Sequence, residues 1–178
     1  MRSVLDPPGA AESLIASADH AYRLVLGPDD TTDAAEFQAA AGRAVADASA
    51  GRPALLEHAR SLWGGDPLPE ERYSDWATSY REGLIDRYIA VLRALCEHYQ
   101  RTGAHLDAAE AARELVDLDP LNEDGHRALM TAYARTGRRG HALRQYLECR
   151  RALVDALGIE PSEVTAQLQA RILAGEAV

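Results

Sequence analysis

Residues 101–137 read RTGAHLDAAEAARELVDLDPLNEDGHRALMTAYARTG, and the stretch begins and ends on the same three residues. Arg101-Thr102-Gly103 returns as Arg135-Thr136-Gly137, an offset of 34. The same offset aligns Ala94 with Ala128, Leu95 with Leu129, Tyr99 with Tyr133 and Ala108 with Ala142. A period of 34 residues holding two helices and a turn is the tetratricopeptide length. The residue types suit it. Each Gly ends a first helix where a left-handed conformation is cheap, each Ala lets two helices approach, and Pro120 breaks the chain between units.

Helical periodicity extends outward from this unit. Leu84, Ile85, Tyr88, Val91, Leu92, Leu95 and Tyr99 recur at three-to-four spacing and predict one long helix over 74–101. Helices are expected at 105–118, from the Asn122 cap to Gly137, at 139–157, and from the Ser162 cap to about residue 173. Before the long helix, Asp33 with Glu36 predicts a capped helix ending near Gly51, and Pro53 opens another to Leu62. WGGDPLPEERY (63–73) is a Gly/Pro loop that Trp63 and Trp76 are expected to anchor. HAYRLVL (20–26) reads as one β-strand after an unstructured lead over 1–13. The fold expected is therefore all-α. It is a tetratricopeptide-like helical-repeat solenoid with a short N-terminal β-strand arm, an arm over 1–30 and a helical domain over 31–178. It holds two good repeats, one degenerate helix pair and a C-terminal capping helix.

Composition narrows the function classes. The net charge of −9 opposes nonspecific contact with a polyanion. All 19 basic residues are Arg. The stretch 122–157 is the one basic region, at net +3, and reads as a solvated face. Cys96 and Cys149 are too few for a zinc site and read as reduced, buried residues of a cytoplasmic protein. Neither a membrane span nor a signal peptide is expected. The six His residues form no ligand-spaced pair and no HExxH, and no serine elbow or phosphate loop appears. No catalytic residue, metal or cofactor is expected.

LWGGDPL (62–68), Trp76 with Arg81 and Leu84, DPLNEDGHRALMTAYARTGR (119–138), ALRQYLECRRAL (142–153) and LGIEPS (157–162) follow one another in order. This succession, over about residues 33–173, resembles the bacterial transcriptional activator domain of regulators of the antibiotic regulatory protein class. The resemblance implies transcription regulation through a helical module that oligomerises or contacts RNA polymerase. Family members carry an N-terminal winged helix, and HAYRLVL resembles the last strand of its wing. The helices that would enter the major groove should precede that strand. DNA binding by this chain alone is therefore not expected, and the chain reads as part of a longer regulator or as a short protein that kept the partner-binding half.

In tetratricopeptide repeats the first helix of each pair lines the groove. The period places Arg93, Glu97, Gln100 and Arg101 beside Asp124, Arg127, Thr131 and Arg135. Arg93 and Arg127 are 34 apart, as are Arg101 and Arg135, making a doubled ladder that can clamp partner carboxylates bidentately. The bland reading is a solvated polar face. The expected partner is a protein: an RNA polymerase subunit, another regulator domain, or a second copy in a homodimer. Two alternatives are a stand-alone peptide-binding adaptor and a small-molecule sensor, the latter with a pocket between the 33–62 pair and the WGGDPL loop.

Overall fold

The structure, a computed structural model, describes residues 15–18, 21–25, 27 and 30–178. The expected lead over 1–13 lies outside them. The chain divides into two compact units, Met1–Glu36 and Phe37–Val178. In the first, strands β1 (Ile15–Ala18) and β2 (Ala21–Leu24) pair antiparallel, Ile15 opposite Leu24 and Ala18 opposite Ala21. Helix α1 (Asp33–Ala46) begins at its end. Thr32, rather than the expected Asp33, caps that helix. Its hydroxyl accepts the Ala35 N–H at 3.1 Å, while the Asp33 carboxylate reaches only the next N–H, Ala34.

The second unit is helical. It continues α1 and adds α2 (Arg52–Ser61), α3 (Asp75–Thr102), α4 (His105–Leu118), α5 (Glu123–Arg135), α6 (Arg139–Leu157) and α7 (Glu163–Ala174). Consecutive helices from α2 to α7 pack on one another, and α5 also touches α3 and α7. Such nearest-neighbour stacking is the solenoid arrangement.

The 34-residue period is visible atom by atom. Leu95 and Leu129, Ala94 and Ala128, and Ala108 and Ala142 are all buried. Gly103 has φ +76° and Gly137 +74°. In each turn the following N–H closes onto the Tyr carbonyl, Ala104 onto Tyr99 at 2.9 Å and Arg138 onto Tyr133 at 2.8 Å. That is the six-to-one bond of a Schellman turn, which needs a left-handed residue. The tyrosines differ, however. Tyr133 is buried and takes a 2.9 Å bond from Arg113, whereas half-buried Tyr99 reaches back to Glu57 on α2. The core is narrow because Ala dominates the helix contacts, and Leu56, Leu92, Leu95, Leu115 and Met130 fill it. Each such side chain contributes roughly 1.5–3 kcal/mol on burial.

Aromatic rings fasten the first helices. Trp63 stacks on Tyr88 at 4.4 Å and 10°, and Phe37 of α1 meets Trp63 at 5.1 Å and Tyr88 edge-on at 6.1 Å. The Tyr88 hydroxyl donates to Glu114 at 2.7 Å, and Arg60 of α2 forms an ion pair with the same carboxylate. Burial alone would push the Glu114 carboxyl up, but the bonds from Arg60 and Tyr88 outweigh it and hold it below the usual carboxylate value. Trp76, expected as a second anchor, is 68% exposed. The loop is held by Arg81 instead. Its guanidinium donates to the Pro67 carbonyl at 2.7 Å, the Arg72 carbonyl at 3.2 Å and Asp66 at 2.6 Å. Donors in a fixed plane pin two backbone carbonyls and a carboxylate of the loop, which an indole facing outward cannot do.

Candidate partner groove

Helices α3, α5 and α7 enclose a cavity of about 430 Å³. Six of the eight residues expected on the groove line it: Arg93, Glu97 and Gln100 from α3, and Asp124, Arg127 and Thr131 from α5. The remaining two do not join them. Arg101 lines a different depression, bounded by residues 48–56, and its guanidinium lies 3.5 Å from His98 Nδ1. Arg135 is exposed and borders neither cavity. The physical reason is helical rotation. Residues eight apart, such as 93 and 101, differ by about 80° around the axis, enough to leave the concave face.

The arginines are not free. Arg93 and Arg127 both form ion pairs with Asp124, which stands between them. Arg127 also donates to the Thr165 hydroxyl at 2.9 Å and lies 3.8 Å from Glu123. Its side chain is 25% exposed, against 51% for Arg93. An exposed pair such as Arg93–Asp124 holds by roughly 0–1 kcal/mol, so Arg93 can turn to another carboxylate at little cost. Arg127 is committed to the packing of α7.

Sequence reasoning missed the third wall. Val164, Gln167, Leu168 and Arg171 of α7 line the same cavity, where a capping helix alone was expected. The three-to-four spacing of these residues is the signal that could have found it. Ser162 occupies the cap position of α7, but its hydroxyl is given to the Glu123 carboxylate of α5 at 2.7 Å rather than to its own helix.

Both cysteines are buried and unbonded to each other, their thiols pushed up by burial, Cys96 to about 12 and Cys149 to about 11. Among the described residues no three His, Cys, Asp or Glu side chains come together as a metal site. Among them, too, no helix is long and apolar enough to cross a membrane.

A family model, the bacterial transcriptional activator domain, matches residues 32–173. Regulatory protein AfsR of Streptomyces coelicolor is 32% identical over 97% of this chain and 17% of its own length. Regulatory protein DnrI of Streptomyces peucetius is 28% identical over 93% of this chain and 62% of its own. The chain thus spans less than two thirds of these relatives. A structure of Mycobacterium tuberculosis EmbR in complex with a low-affinity phosphopeptide superposes with a TM-score of 0.67 at 26% identity. It covers 93% of this chain and 44% of that one.

Proposed function

Because the chain belongs to the bacterial transcriptional activator domain family, within the antibiotic regulatory protein class, we propose that it serves transcription activation as a protein-interaction module. The partner groove is the α3–α5–α7 cavity, and residues 31–178 are the unit that carries it. One observation supports this reading above others. Six polar residues placed by repeat period alone line a single concavity of about 430 Å³.

The groove's chemistry selects an acidic, extended segment. Arg93, Arg127 and Arg171 outnumber Glu97 and Asp124 there, in a chain whose total charge is −9. A partner carboxylate takes Arg93 from Asp124 and pairs with it bidentately. Val164 and Leu168 give apolar contact between the polar rims. The partner is an acidic surface of RNA polymerase or of another regulator domain. That a structural relative was captured with a phosphopeptide supports protein partners in general. DNA contact by this chain alone is not part of the reading, since its charge repels phosphate.

Binding of purified bacterial RNA polymerase holoenzyme and of an acidic peptide series to Arg93→Glu tests it. Arg93 is the clean probe because Arg127 also holds α7. Affinity should fall by about tenfold or more with helicity unchanged. An Arg93→Glu variant that binds as the parent does would overturn the groove.

A small-molecule reading keeps one observation in its favour. A third cavity, of about 690 Å³, opens beside Trp63, Gly64 and Gly65 and is walled by Tyr88 and Glu114. A thermal-shift screen of chemically varied metabolites tests it, and a flat response would exclude it.

A further inference from the structure

Helix α6 packs on α5 and α7 and leaves the rest of its circumference exposed. On the exposed side stand Arg144, Glu148, Arg151 and Asp155. At 100° per residue the four fall within about 60° of one another, a single straight row. None of them takes part in an ion pair among the described residues. Neighbouring Arg150 does, with Glu160 at 2.6 and 2.7 Å, and it faces away from the row. Beside the row lie Leu147, 57% exposed, and Val154, 40% exposed.

The order of charges along the row is plus, minus, plus, minus. Reversed end to end it becomes minus, plus, minus, plus. A second copy laid antiparallel therefore meets an opposite charge at every position. Arg144 faces Asp155 of the other copy and Glu148 faces its Arg151, and each contact occurs twice. A parallel copy in the same register would meet four like charges. The two-fold axis that relates antiparallel helices also keeps both apolar flanks on one side of the row. Leu147 and Val154 of each copy then interleave there. A surface complementary to itself under a two-fold is the requirement for an isologous dimer.

We propose that this face of α6 is a homodimer interface, with two copies packed antiparallel through Arg144, Glu148, Arg151 and Asp155. The proposal rests on the reading of the chain as an interaction module but uses a different helix from the groove. Its 19 residues span about 28 Å. Two such helices bury less than the roughly 1,200 Å² of a stable complex, so the dimer is a weak one that forms at high local concentration.

Sedimentation velocity of the full chain, from about 10 μM to about 1 mM, tests it through charge reversal. The parent should show a concentration-dependent dimer that weakens with salt. Arg144→Glu and Asp155→Arg, each alone, should weaken it by about tenfold or more. Arg144→Glu/Asp155→Arg together should restore it, because the swapped charges still meet their opposites in antiparallel packing and would repel in parallel. Arg93→Glu should leave the dimer unchanged, so the groove and the interface can fail separately. A parent that stays monomeric throughout, single variants that dimerise as the parent does, or a folded double variant that does not recover would each overturn the proposal.

Discussion

The carboxylate of Glu123, in the first turn of α5, accepts both the backbone N–H of Ser162 at 3.0 Å and its hydroxyl at 2.7 Å. Thr165 adds a third donor at 2.5 Å. The N-terminal end of α7 is thus anchored by a residue 39 positions upstream on another helix, and the negative charge sits where the helix dipole favours it. This bond holds α7 in place as the third wall of the groove.

Glu123→Gln should therefore cost about 1–2 kcal/mol, the size of a lost helix cap, with α7 loosening before the rest. The effect has a pH signature. Burial pushes the Glu123 carboxyl up, but the bonds from Thr165 and Ser162 and the charge of Arg127 outweigh it, so its folded value lies below the usual one of 4.5. A lowered carboxylate stabilises the fold fully above its unfolded value, and the contribution disappears as pH falls through the folded value. Urea titrations of parent and variant should differ at pH 7 and converge in strong acid; a gap independent of pH would refute the assignment.

His126 is buried with both ring nitrogens engaged. Its Nε2–H donates to the Pro120 carbonyl at 3.0 Å, and its Nδ1 accepts from Gln145 at 2.8 Å. Gln145→Leu strands that nitrogen away from water, at a cost of about 1–3 kcal/mol. Denaturant midpoints check the cost, and the His126 ring signals in an NMR spectrum should move with it.

Tyr88 is the centre of the aromatic cluster, buried between Phe37, Trp63 and Glu114. Tyr88→Ala should destabilise by about 3–5 kcal/mol, as large aromatic truncations in cores do. Trp63 should also become more exposed, seen as a red shift in its fluorescence. Tyr88→Phe keeps the stack and loses only the hydroxyl bond, so it should cost about 1 kcal/mol.

Two helical glycines should respond with opposite signs to the same change. At Gly83, mid-α3, an added methyl meets nothing within 4 Å, and Gly83→Ala should stabilise by about 0.5–1 kcal/mol. At Gly125 it would come to 3.0 Å from Leu115 Cγ and 3.2 Å from Val116 Cγ2 of the neighbouring helix α4. Gly125→Ala should destabilise by about 1–3 kcal/mol. Thermal melts of the two variants moving in the same direction would contradict this packing.

Helix positions were legible because they rest on local rules. His105–Leu118 and Arg139–Leu157 follow from periodicity and stop signals, and Asn122 caps α5 as its side chain suggests, accepting from Gly125 N–H at 3.1 Å. The 34-residue repeat predicted which Leu and Ala side chains share a burial level, though not the tyrosines, and which turns need glycine. Partners across helices were not legible, because no local rule encodes them. Trp76 and Arg81 sit five residues apart, yet only the folded loop shows that Arg81 holds it. Asp124 looked like one of two groove acids, with Glu97, until the structure placed it between Arg93 and Arg127.

By itself the sequence determined the helical period, the family and six residues of one concave face, since each is carried by spacing along the chain. The tertiary structure decided that α7 closes the groove, that Arg127 is structural where Arg93 is available, and that the arginine ladder has one rung rather than two. Those outcomes depend on the rotation and approach of helices whose contacts lie some 30 to 40 residues apart. Packing sets such contacts, and hydrogen bonding within a turn does not.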